Sequence, residues 1–115
     1  DAGAQVMDVL RIAGLPDDPL AAAAQFHAEV VPALPRDADL LLVFPPADHP
    51  HRGWREAAIG ALGRAFAPRR INAVASDNAA GIASAQAYLA GAEGLTGQYL
   101  PLDDAGAGAV LPSAA

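Results

Sequence analysis

The stretch that most constrains the fold is Ala67 to Asp104, APRRINAVASDNAAGIASAQAYLAGAEGLTGQYLPLDD. An apolar run of strand length, Ile71 to Ala75, ends on Ser76-Asp77-Asn78. Those residue types prefer helix N-caps, and the alanine-rich stretch behind them predicts a helix. Gly94-Leu95-Thr96-Gly97 then turns the chain into a last strand. Strand, capped helix and strand in that order make a βαβ unit, which requires parallel strands.

The preceding residues repeat that order. Met7 to Ile12 reads as a first strand ending at Ala13-Gly14, with Asp8 and Arg11 interrupting the apolar residues as suits a sheet edge. Pro16-Asp17-Asp18-Pro19 predicts a helix start, with Asp18 as N-cap and Pro19 at the first helical position. That helix runs to about Val31, and helical spacing puts Leu20, Ala23, Ala24, His27 and Val31 on one face. His27 is expected there as a half-buried structural histidine. Pro32 and Pro35 end the helix.

Asp39 to Phe44 is an unbroken apolar run after its first residue, the pattern of a central parallel strand covered on both faces. Pro45-Pro46 stops it, and a polar loop, Ala47 to Arg52, follows. A second helix is expected from about Gly53 to Phe66. Ile59, Leu62 and Phe66 form a large apolar stripe for the sheet; Trp54, Ala57, Ala58, Ala61 and Ala65 form a second, smaller one. A helix with two apolar faces needs two partners, so the second stripe is the candidate interface, with Trp54 either core or anchor. Pro101 places the last strand at an edge.

Length and composition set outer bounds. The 115 residues make one domain, read as 7–104, with 1–6 as a tag or processed end before Met7 and 105–115 as a flexible tail. The net charge is −6, every basic residue is arginine, and no basic run occurs, which argues against nucleic-acid binding. No apolar run approaches the length of a membrane span. There is no cysteine, so thiolate metal sites and disulfides are excluded, and a reducing, cytoplasmic setting is expected.

Ala67-Pro68-Arg69, Ile71-Asn72-Ala73-Val74-Ala75, Tyr88-Leu89-Ala90 and Thr96-Gly97-Gln98 stand in an order that resembles the end of the short-chain dehydrogenases/reductases. In that family "APR-(I)RVNAVAPG", an alanine-rich helix with "YLA", and "TGQ" before the closing strand follow one another. "MDVLRIAG" is similar to the family's "DVLVNNAG" strand. The resemblance implies a half-Rossmann fold: α/β, four parallel strands in sequential order, three helices, βαβαβαβ. Right-handed crossovers put the first two helices on one face of the sheet, and the resemblance implies that the third lies on the other.

The family's chemical residues do not carry over. Its Tyr-x-x-x-Lys has no counterpart, because the chain has no lysine and both tyrosines, Tyr88 and Tyr99, lie in the closing segment. The family's serine falls on Pro45-Pro46, and its Pro-Gly on Ser76-Asp77. No glycine-rich dinucleotide turn is present, so no cofactor is expected. A non-catalytic relative acting through self-association, as a homodimer or higher homo-oligomer, is the favoured reading. An uncovered sheet face built of residues such as Leu10, Leu40 and Leu42 is its main support.

A small-ligand or nucleotide-binding module is the alternative. It would use Asp48, His49, His51 and Arg52 after the second strand, and Ser76, Asp77 and Asn78 after the third, because open α/β sheets keep their sites at strand carboxyl ends. The plainer account of both groups is helix capping. His49-x-His51 lacks a third metal ligand at recognisable spacing. A dehydrogenase is the least favoured reading.

Overall fold

A computed structural model describes residues 7–102; segments 1–6 and 105–115 and the acid pair Asp103-Asp104 lie outside them. Strands β1 (Asp8–Arg11), β2 (Leu40–Phe44), β3 (Ile71–Ala75) and β4 (Tyr99–Pro101) form one parallel sheet in the order β1-β2-β3-β4. Helix α1 (Pro19–Gln25) continues through a π-helical turn (Phe26–Val30) and a 3-10 turn (Val31–Ala33). Helix α2 (Arg52–Ala65) follows a 3-10 turn at His49–His51, and α3 (Ala79–Gly91) precedes β4.

β2 and β3 are buried along their whole length. Because both of their faces are apolar, successive residues feed two separate cores. On one side, Leu40, Leu42, Phe44, Ile71, Ala73 and Ala75 pack with Phe26, Leu34 and the α2 residues Ala58, Ile59 and Leu62. On the other, Leu41, Val43 and Val74 pack with Met7 and with Ile82, Ala85 and Leu89 of α3. Thus α1 and α2 share one face and α3 covers the opposite one. With the strand order running one way throughout, the β3–α3–β4 crossover has the opposite hand to the two before it.

Two expectations are corrected here. Leu40 and Leu42 are fully buried, with Leu10 packed against the same cluster, so the face expected to lack a cover lies under α1 and α2. Each sheet face is covered by the chain's own helices, with Val9, Leu10 and Leu100 of the edge strands left half-buried. The expected face of the first helix is also rotated. Ala22 and Phe26 point inward, whereas Leu20 is 83% exposed and Ala24 and His27 lie at the surface. Phe26 is the bulkiest apolar residue of the segment and packs on Phe44 and Trp54, with ring centroids 5.5 Å away in each case. Burying it outweighs the weak preferences of the surrounding alanines. His27 only meets the Phe26 ring edge-on.

The amino-terminal end of the sheet is tied by polar contacts. Arg70 pairs with Asp39 at 3.1 Å, and its Nη1 and Nη2 donate to the carbonyls of Leu89, Ala90 and Ala92 at the end of α3. Terminal helix carbonyls have no partner within the helix, and a cation suits that end of its dipole. Asn72 is fully buried; its amide donates to the Leu95 carbonyl and accepts from the Gln98 N–H. The Thr96 hydroxyl accepts from the Ile71 N–H, and the Gly97 N–H donates to the Ile71 carbonyl.

Gly97 adopts φ +77°, and its backbone lies against Gly63 of α2. A Cβ on Gly63 would stand 2.8 Å from the Gly97 N and Cα atoms. The Thr-Gly-Gln turn is therefore a close crossing of helix and loop, and both glycines are needed for it.

Candidate functional site

The carboxyl ends of β1 and β2 open into a cleft of about 110 Å³. The β1–α1 loop contributes Gly14, Leu15, Pro16 and Asp17; the β2–α2 loop contributes Pro45, Pro46 and Ala47. Gly14 turns the first loop with φ +81°. Ile12 and Ala22 also line it, as do His51, the residue before α2, and Trp54 and Arg55 in the first turn of that helix.

A polar chain runs along the α2 wall. The Trp54 indole N–H donates to His51 Nδ1 at 3.0 Å. An indole nitrogen can only donate, so Nδ1 is the acceptor and the neutral ring carries its proton on Nε2. That Nε2–H donates to the Asp17 carbonyl at 2.8 Å and joins the two loops across the cleft. Trp54 rests on Phe26 and Phe44, so it belongs to the core.

Arg55 is the group that reading the sequence missed. It is only 3% exposed. Its Nη1 donates to the Pro45 carbonyl at 3.0 Å and to the Tyr99 hydroxyl at 3.1 Å, and the guanidinium lies 4.5 Å over the Phe44 ring. No carboxylate pairs with it among the described residues, and Nε has no hydrogen-bond partner. The signal was present: Arg55 stands four residues before Ile59 on the stripe that packs on the sheet. A charge on a core stripe is buried and must be accounted for.

Of the residues proposed as a ligand site, the structure places only His51 in the cleft. Asp48 and His49 are exposed on the loop, and Arg52 makes an exposed ion pair with Glu56 at 3.2 Å. Ser76, Asp77 and Asn78 do not line the cleft. Asn78 caps α3 by accepting from the Gly81 N–H at 2.8 Å, and the buried Ser76 hydroxyl accepts from the Asn78 N–H. Asp77 is exposed beside them. Among the described residues no group of three His, Asp or Glu side chains is placed to hold a metal ion.

The second α2 stripe divides. Ala58 is buried and Trp54 half-buried, while Ala57, Ala61 and Ala65 run exposed along the outside. Among the described residues, no helix is long and apolar enough to cross a membrane.

Comparison with known proteins agrees with this architecture. No curated protein and no solved structure matched the chain. A family model described as short chain dehydrogenase-like protein matches residues 10–102, which takes in nearly all of the sheet and the three helices. The chain belongs to the short chain dehydrogenase-like family.

Proposed function

We propose that this chain is a non-catalytic short chain dehydrogenase-like domain that works by binding rather than by turnover. The observation that carries this reading is the composition of the cleft. Apart from Asp17, His51, Trp54 and Arg55, its wall is proline, alanine, glycine and aliphatic residues, and it holds no side-chain hydroxyl, thiol or amine; the Asp17 carboxylate, the one acid there, is exposed. Both nitrogens of His51 are engaged. Tyr99 is not among the lining residues, and its hydroxyl accepts from Arg55. Tyr88 is exposed on α3, the helix covering the opposite face. The purified chain should oxidise neither NADH nor NADPH with carbonyl substrates, and calorimetry should show no micromolar affinity for either. Such an affinity would overturn the proposal.

Self-association is the contact this reading takes first. Its support is the exposed line Ala57, Ala61 and Ala65, which lets another helix approach closely. Light scattering at micromolar concentration should give a mass of at least twice 11.6 kDa. Ala61→Arg should return the monomer mass; a wild-type monomer rejects the idea.

Small-ligand binding is the second reading, and the cleft itself favours it. About 110 Å³ is small beside the roughly 300–1,000 Å³ of drug-sized sites, so the occupant has few heavy atoms and is not a whole nucleotide.

A further inference from the structure

We infer that the cleft between the β1–α1 and β2–α2 loops takes a small oxyanion, a carboxylate or phosphate group, against Arg55. The inference rests on the small-ligand reading of this cleft and adds the charge and chemistry of its occupant.

The argument starts from a charge out of balance. A guanidinium stays protonated even when buried, so it requires compensation. Arg70, the other buried arginine, has a carboxylate and three helix carbonyls. Arg55 has one carbonyl, one phenol and the face of Phe44, all neutral. Both of its hydrogen bonds leave from Nη1. The Nε side of the fork, which with Nη2 matches the two oxygens of a carboxylate or phosphate, is not used at Nε.

A second feature adds to the same sign. Arg55 lies in the first turn of α2, a helix of 14 residues, whose N-cap residue His51 makes no capping bond through its side chain. The positive end of the helix dipole therefore stands beside the cleft without a side-chain acceptor. Asp17, the only acid lining the cleft, is exposed and forms no ion pair with Arg55. Apart from the His51 and Trp54 nitrogens, which bond to each other and to the Asp17 carbonyl, the rest of the lining side chains are apolar, which strengthens any charge pair formed inside.

Amide chemical shifts of the full chain test this, with inorganic phosphate, sodium acetate and neutral acetamide as separate titrants at constant ionic strength. Phosphate or acetate should move Gly14, Ala47 and the Trp54 indole saturably, at millimolar concentrations or below, and acetamide should not. Ala47→Glu, a change at an exposed lining position, should place a carboxylate in the cleft and weaken the anion response at least tenfold. Arg55→Lys, which keeps the charge but not the fork, should also weaken it.

The arms separate the two ideas. If acetamide binds as well as acetate, the cleft takes ligands but the anion inference is wrong. If none of the three titrants moves the cleft signals, the small-ligand reading fails with it. An anion response that both variants leave unchanged places the ion elsewhere on the chain and also overturns the inference.

Discussion

The two ends of the sheet handle the same residue in opposite ways. At the amino-terminal end, Arg70 meets a carboxylate and the last carbonyls of α3. At the carboxyl end, Arg55 is more deeply buried yet meets only neutral partners and leaves Nε unpaired. A buried charge that is fully engaged ties elements together. A buried charge left partly unsatisfied contributes little to the fold, and its compensation can come from a bound group instead.

Three substitutions sharpen or break that contrast. Arg70→Met should have the largest effect, a loss of about 3–5 kcal/mol in urea unfolding, because it leaves Asp39 half-enclosed without its cation and strips the end of α3. A loss below about 1 kcal/mol would mean that the amino-terminal end is not the tie described.

Gly63→Ala probes the same end without touching charge. The added methyl meets the Gly97 backbone, which has no flexible end to yield, so the variant should lose about 1–3 kcal/mol. A calorimetric midpoint equal to the wild type would show that the crossing is loose.

Arg55→Met should cost least, within about 1 kcal/mol of wild type in urea unfolding. Its Nη1 acceptors, the Pro45 carbonyl and the Tyr99 hydroxyl, belong to an exposed and a half-buried residue, and the apolar chain removes an unbalanced charge from between Phe44 and Trp54. A loss matching that of Arg70→Met would erase the contrast.

Much of this arrangement was legible in the residues. β3 has the expected bounds, Ile71 to Ala75, and the caps Asp18 and Asn78 both accept the backbone N–H bonds expected of them. Capping and strand runs are local, so local chemistry identifies them. Which face of β2 each helix covers is not local. Leu40 to Val43 carries no alternation, and only the position of the helices decides that Leu40 and Leu42 face one side and Leu41 and Val43 the other.

The rotation of α1 has a related cause. Its alanines weight every direction alike, so one phenylalanine and a π-helical turn settle the buried face. The resemblance to the dehydrogenases supplied what periodicity lacks, the opposite placement of α3. The candidate site was the least legible part. Polar clusters in the sequence point to Asp48–Arg52 and Ser76–Asn78, whereas the cleft is mostly apolar and its telling group is one arginine on a core stripe.

Trp54 gives the chain an optical property. It is the only tryptophan, so emission excited at the indole band comes from a single place. That place is a wall of the cleft, with the ring 5.9 Å from the Arg55 guanidinium carbon and its N–H held by His51. Unfolding should shift the emission to the red as the ring meets water, and an ion arriving beside Arg55 should change the field across the indole without unfolding. Intensity and wavelength recorded together would thus distinguish occupancy from loss of structure in one unlabelled cuvette.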